Sequence, residues 1–295
     1  MKTVLSGMKA LIGLLCLAGA LSGAAAAEML VKNAALPTGA VIEYVEKGEQ
    51  GTPAVIFIHG YPDSWRSFEQ VLEAWPDELR AVALSLRGFG GSSKPEGGYT
   101  LEAQAADIAA LMDHLDIRSA VIVGHSMGSL VASTFSSTYP GRTRSVVMIG
   151  TFAAIMGKPE LESLWSDVIS KLEDPIDPAF VRAFQESTVA RPVPADVMDT
   201  IIAESLKAPA RVWRDMFGSF VHRNFEAAVV NTPAPILFIW GEADGMALAE
   251  ERALLSEIAA KPSVLVVAGA GHSLQWEDPA FMAGAIADYA RTTVN

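Results

Sequence analysis

The chain has 295 residues, 51% of them hydrophobic, and a formal charge of −12 at pH 7. Such an acidic balance disfavours nucleic acid and anionic membrane surfaces as partners. The length and hydrophobic content suffice for a large buried core in one or two domains.

The first 27 residues read as a secretory signal. Lys2 and Lys9 supply a basic start, Ala10 to Ala20 an uncharged apolar run, and Ala25-Ala26-Ala27 a small-residue cleavage pattern that places the cut before Glu28. An uncleaved membrane anchor is the alternative, and the small Ala/Gly/Ser-rich end of the segment favours cleavage. Cys16, the only cysteine, lies inside this segment, and bulky Leu15 precedes it where lipidation would need a small residue. The mature chain then carries no thiol, so it has no disulfide, no cysteine nucleophile and no cysteine metal site. It retains 20 basic residues against 34 acidic, a formal charge of −14. No later segment is long and apolar enough to span a bilayer, so an exported protein, periplasmic or secreted and without stable membrane association, is expected.

Beyond the signal, short apolar β-branched runs alternate with longer helical patterns, which predicts an α/β fold: a mostly parallel sheet covered by helices. The expected strands are Met29–Asn33, Ala40–Val45, Ala54–Ile58, Ala81–Leu86, Ala120–Val123, Ser145–Ile149, Ile236–Trp240 and Val264–Val267. The first two form an antiparallel hairpin through Leu36-Pro37-Thr38-Gly39. Leu101–Leu115 is an expected helix capped by Thr100, with Ala103, Ala106, Ala110 and Leu111 on one face. Met127–Tyr139 stops before Pro140, and Leu248–Ala260 and Pro279–Arg291 are two more helices. Residues 152–228 break the alternation. Helical patterns at Pro159–Leu172, Pro178–Val189, Pro194–Leu206 and Ala208–Val221 predict a helical insertion between the sixth and seventh strands. The core is then 28–151 with 229–295.

The strongest chemical signal is Val121-Ile122-Val123-Gly124-His125-Ser126-Met127-Gly128, a G-x-S-x-G elbow after an apolar strand and before a helix. Its sharp turn exposes a serine, and the flanking glycines let strand and helix approach closely. Serine needs a base to take its proton. Of five histidines, His59 ends a strand, His125 is expected to point away from the nucleophile, His114 lies on a surface-type helix and His222 ends the insertion. His272 remains, in Gly269-Ala270-Gly271-His272-Ser273 just after the last strand. A base needs an orienting acid, and Gly241-Glu242-Ala243-Asp244 leaves the seventh strand in the chain order Ser, Asp, His. Asp244 is the expected acid and Glu242 the alternative. His59-Gly60-Tyr61-Pro62 bends the chain after a central strand so as to aim the Tyr61 N–H, together with that of Met127, at a reacting oxygen. A cis bond before Pro62 would fix that loop.

These motifs, with Leu86-Arg87-Gly88-Phe89-Gly90-Gly91-Ser92-Ser93, resemble the α/β-hydrolase superfamily over the whole mature chain. The glycine-rich Arg87–Ser93 turn reads as structural. The HGYPDSW and RGFGGSSKP segments are most similar to the branch that holds epoxide hydrolases, haloalkane dehalogenases and cofactor-free haloperoxidases. The first two use an aspartate nucleophile; Ser126 occupies that position here and departs from both. Ser129 is a second departure, where many relatives have glycine. The resemblance implies an eight-stranded α/β-hydrolase fold in which 152–228 is a helical cap, with neither metal nor organic cofactor required. Trp213, Met216, Phe217 and Phe220 share a helical face, as do Phe180 and Phe184, and Trp213 and Phe217 are candidate walls of an apolar substrate pocket. The expected chemistry is acyl transfer on a small or medium carboxylic ester or lactone. Cleavage of a β-diketone-type carbon–carbon bond and perhydrolysis use the same triad. A non-catalytic binding protein on the same fold would have a damaged triad, and here all three members are present.

Overall fold

Val55, Ile56, Phe57 and Ile58 are all fully buried, an unbroken apolar run suited to a strand covered on both faces. That strand is near the middle of the sheet in the computed structural model, which describes residues 29–50 and 53–293. The expected signal segment and Cys16 lie outside those residues. Eight strands are present among the described residues: β1 (Lys32–Ala35), β2 (Val41–Lys47), β3 (Ala54–Ile58), β4 (Arg80–Leu84), β5 (Ala120–His125), β6 (Thr143–Ile149), β7 (Ile236–Gly241) and β8 (Pro262–Val267). They form one sheet in the order β1-β2-β4-β3-β5-β6-β7-β8. The β1–β2 and β2–β4 pairs are antiparallel, and the rest are parallel. This is the eight-stranded, mostly parallel sheet of an α/β-hydrolase fold.

The first strand begins three residues later than expected. The turn Leu36–Gly39 closes with the Leu36 N–H on the Ala40 carbonyl at 2.8 Å, and Gly39 takes φ 85°, which glycine adopts without a Cβ clash. That closure sets Ala35 opposite Val41 and ends the ladder at Lys32 paired with Tyr44. Met29 to Val31 therefore precede the pairing.

Strand alternation divides the core into two layers. Ile56, Ile58, Ile122 and Met148 face one side, and Val55, Phe57, Val123 and Ile149 face the other. Burying each such side chain contributes about 1.5–3 kcal/mol. The helix Leu101–His114 is capped as expected, with the Thr100 hydroxyl accepting the Ala103 N–H at 3.1 Å. Its buried face agrees with the expected one only at Leu111. Leu101, Ala105, Ile108, Leu111 and Met112 are buried, whereas Ala103, Ala106 and Ala110 are half-buried.

Between β6 and β7 the regular elements are helical, joined by loops, with one isolated bridge between Ala154 and Asn224. The helices are Pro178–Glu186, Ala195–Ser205, Ala210–Phe220 and Glu226–Val230. The expected Pro159–Leu172 helix is instead three pieces: an α turn at Pro159–Ser163, a π turn at Leu164–Val168 and a 3₁₀ turn at Ile169–Lys171. Glu226–Val230 and the segments Trp65–Phe68 and Glu69–Glu73 after β3 were not expected. Elements of one turn carry too few residues to establish a period. No helix among the described residues is long and apolar enough to cross a membrane.

Candidate active site

Parallel strands bring their C-terminal ends to one edge, where the loops after β3, β5, β7 and β8 meet. Ser126 follows β5 with φ 51° and ψ −120°, a conformation costing about 1–3 kcal/mol for a residue with a Cβ. Its N–H is held by the Ile149 carbonyl at 2.8 Å. Glycine is required on both sides. A Cβ at Gly124 would lie 2.1 Å from the Gly128 carbonyl oxygen, and one at Gly128 would lie 2.3 Å from that of Ile58. The elbow therefore forms only because strand and helix can touch backbone to backbone.

His272 and Asp244 are each 4% exposed, and Nδ1 of the imidazole donates to Oδ2 of Asp244 at 2.9 Å. The other carboxylate oxygen accepts the N–H groups of Met246 and Ala247 at 2.8 and 3.2 Å. Burial pushes the Asp244 carboxyl up, but the His272 ring and those two N–H donors outweigh it and hold the group below the usual carboxylate range. Fixing the Nδ1 proton leaves Nε2 as a lone-pair acceptor, and that atom is buried without a partner among the described residues. Glu242 is exposed and accepts the Gly269 N–H at 2.9 Å, away from the imidazole. Asp244, not Glu242, contacts the His272 imidazole.

The histidine loop hangs on the segment between β6 and β7. The N–H groups of His272 and Ser273 both donate to the Thr188 carbonyl, at 2.9 and 3.0 Å. The Ser273 hydroxyl donates to the Thr188 hydroxyl at 2.9 Å. Glu277 accepts from Ala190 at 2.6 Å and from Gly271 at 3.0 Å, clamping the two segments. Sequence reasoning missed Thr188 and Glu277. Neither belongs to a local motif, and both act through backbone groups more than 80 residues away in one direction or a few residues away in the other.

On the opposite side, the N–H groups of Tyr61 and Met127 donate to no acceptor among the described residues, so both are free to hold an oxygen. The Tyr61–Pro62 bond is cis. The remaining histidines do other things. His59 donates from Nδ1 to the Gly60 carbonyl at 2.7 Å and accepts the Leu86 N–H at Nε2 at 3.0 Å; burial pulls its pKa down to about 4. His125 does not simply point away. Its ring lies in the cavity wall 5.1 Å from that of His272. Its Nδ1 accepts from the Gln275 amide and its Nε2 donates to the His272 carbonyl, both at 3.1 Å. Burial, helped by the neighbouring His272, lowers its pKa to about 3. His125 thus holds the His272 backbone as a neutral ring.

Ser126 and His272 open onto a small cavity of about 40 Å³. Its walls are mainly apolar and include Phe152, Ile155, Leu161, Phe184, Phe217 and Phe220. Phe217 is placed as expected, but Trp213 is not a wall. Its indole N–H bonds the Ala208 carbonyl at 3.1 Å, and its ring packs behind Tyr61 and against Phe180 and Phe184. One helix turn, about 6 Å along the axis, separates the two residues on the same face, so one ring reaches the cavity and the other packs behind Tyr61. Arg87 is engaged by Asp107 through two contacts of 2.5 Å. No three His, Cys, Asp or Glu side chains converge as metal ligands among the described residues.

Residues 53–188 match the family described as alpha/beta hydrolase fold. The chain is 34% identical over 114 residues to mouse "Epoxide hydrolase 4", a match covering 38% of this chain and 32% of that protein. The chain therefore spans only about a third of that relative's length. It is 29% identical over 255 residues to "2-(acetamidomethylene)succinate hydrolase" of Mesorhizobium japonicum, covering 83% of this chain and 89% of the relative. The solved structure of a thermophilic esterase from Thermogutta terrifontis superposes with a TM-score of 0.78 at 23% identity, covering 90% of this chain and all of that one.

Proposed function

We propose that the chain is a serine hydrolase of the α/β-hydrolase superfamily, cleaving a small or medium carboxylic ester or lactone through an acyl-enzyme. The observation that carries this reading is His272, oriented by Asp244 at 2.9 Å, with its Nε2 buried and unpartnered in the cavity it shares with Ser126. Ser126 attacks the carbonyl carbon as Nε2 takes its proton. The N–H groups of Tyr61 and Met127 receive the negative charge that forms on the carbonyl oxygen. The imidazolium, stabilised by Asp244, returns the proton to the departing alcohol oxygen. Water, deprotonated by the same nitrogen, then cleaves the acyl-enzyme.

The small, mainly apolar cavity favours a short acyl group. The helices between β6 and β7 form the cap over it, and longer acyl chains enter only if that cap shifts. The nearly full-length Mesorhizobium relative supports hydrolysis; the epoxide hydrolase match is partial. Fluorophosphonate labelling tests the nucleophile, and a panel of esters, lactones, amides and β-diketones tests the substrate class. Labelling confined to Ser126 and turnover of esters support the proposal. Labelling that survives Ser126→Ala would overturn it.

Export is part of the same proposal, and it rests on Lys2, Lys9, the Ala10–Ala20 run and Ala25-Ala26-Ala27. N-terminal sequencing of exported material should begin at Glu28; a retained Met1 on membrane-bound protein would refute it. The acidic charge supports a small-molecule substrate over nucleic acid as partner.

A further inference from the structure

The site contains a third carboxyl that the acyl-transfer steps do not use. Asp63 is 2% exposed and belongs to the wall of the cavity that holds Ser126 and His272. Its N–H is tied to the Gly60 carbonyl at 3.1 Å, and its Oδ1 accepts the Ser64 N–H at 2.8 Å. Its Oδ2 is buried with no partner among the described residues. Leaving a buried carboxylate oxygen bare costs several kcal/mol in general.

The groups packed around Asp63 explain which form it takes. Glu204, on the helix Ala195–Ser205, is the carboxylate that faces it, and Glu204 is neutralised by Lys207 at 2.7 Å and Arg66 at 3.5 Å. Asp63 itself has no cation partner among the described residues. His125 is a neutral ring, and the Gln275 amide nitrogen is committed to His125 and to the Ser67 hydroxyl. The Ser67 oxygen also accepts the Trp276 indole N–H. Burial pushes the Asp63 carboxyl up to about 8 against the opposing Ser67 and Ser64 donors, and Glu204 adds to the rise.

We propose that Asp63 is a neutral hydrogen-bond donor in the substrate cavity and selects esters or lactones that carry a second acceptor oxygen near the scissile carbonyl. This deepens the acyl-transfer reading and rests on it. In a mainly apolar chamber, one O–H that meets a keto or ether oxygen discriminates more sharply than shape, because a plain alkyl chain leaves the donor unpaired. The raised pKa sets the sign of the pH dependence. The donor is present below about pH 8 and is lost as the carboxyl ionises above it.

The experiment compares matched p-nitrophenyl esters, butanoate with methoxyacetate and pentanoate with 4-oxopentanoate, in the wild type, Asp63→Leu and Asp63→Asn. Each ratio of kcat/KM is referred to uncatalysed hydrolysis to remove intrinsic reactivity. At pH 7 the preference for the oxygenated partner should fall about tenfold in Asp63→Leu. It should persist in Asp63→Asn, whose amide N–H still donates. At pH 9 the wild type should lose the preference while Asp63→Asn keeps it. Equal ratios in all three proteins would overturn the subsite. Two fluorophosphonates, one with an alkyl and one with a methoxyalkyl tail, give a readout independent of turnover. Labelling of Ser126 at indistinguishable relative rates across the three proteins would also overturn the subsite and leave acyl transfer standing. Labelling by neither probe would overturn the acyl-transfer reading itself.

Discussion

The phenol of Tyr61 donates to the backbone carbonyl of Trp213 at 3.0 Å, and the two rings meet edge to face with centroids 5.3 Å apart. Phe89, Phe184, Phe217 and Phe220 enclose the same phenol in the same edge-to-face manner. The residue whose N–H is proposed to hold the reacting oxygen is thus anchored by its side chain to the helix Ala210–Phe220. Tyr61→Phe removes the bond and keeps the ring cage. It should lower the unfolding free energy by about 1–2 kcal/mol and reduce kcat more than it raises KM. Unchanged Tm and kcat would mean that the tie to Trp213 is passive.

The triad members should fail in different ways. Ser126→Ala should abolish labelling and turnover. Asp244→Asn should keep the shape but favour the wrong tautomer of His272, with a loss of about 10⁴ in kcat/KM by analogy with the serine-protease triad. Glu242→Gln should be nearly silent, since Glu242 serves only the Gly269 N–H. Steady-state kinetics on one good ester, with folding checked by circular dichroism, decide this. A large loss from Glu242→Gln would reverse the assignment of the acid.

Phe217 and Trp213 should separate pocket from core. Phe217→Ala enlarges the cavity and should shift preference toward longer acyl chains. Trp213→Ala leaves a void behind Tyr61 and should cost about 3–5 kcal/mol of stability. Chain-length profiles and Tm values on the two variants are the readout. A shift in chain-length preference from Trp213→Ala alone would show that the wall lies elsewhere.

The buried titratable groups predict the proton balance of unfolding. His59 and His125 have pKa values lowered to about 4 and about 3, so at pH 5.5 both are neutral folded and protonated unfolded. Their contribution to stability is complete above about pH 6.5 and is lost as pH falls toward the folded values. Asp63 has the opposite sign. Its pKa is raised to about 8, so it holds a proton when folded and releases it on unfolding through that range. The net uptake near pH 5.5 is therefore roughly one proton for the wild type and roughly two for Asp63→Asn. The slope of unfolding free energy against pH measures this directly. Equal slopes in the two proteins would mean that Asp63 is ionised in the fold.

The elbow, the chain order of Ser126, Asp244 and His272, and the strand sequence were all legible from residue types and spacing. The reason is local: G-x-S-x-G needs glycine wherever backbones touch, and a buried parallel strand needs a continuous apolar run. The choice of Asp244 over Glu242 was favoured by sequence and decided only by which carboxylate faces the imidazole. Three features depended wholly on tertiary structure. Thr188 and Glu277 support His272 through backbone groups, and sequence spacing carries no mark of such a contact. Trp213 and Phe217 share one apolar stripe, yet the packing of Tyr61 between them and the body sends one behind the wall and the other into it. Asp63 reads in sequence as an ordinary turn residue, Pro-Asp-Ser. Its burial beside a cation-paired Glu204, with no cation of its own, is a long-range electrostatic arrangement that forms only when the helix Ala195–Ser205 closes over the loop after β3.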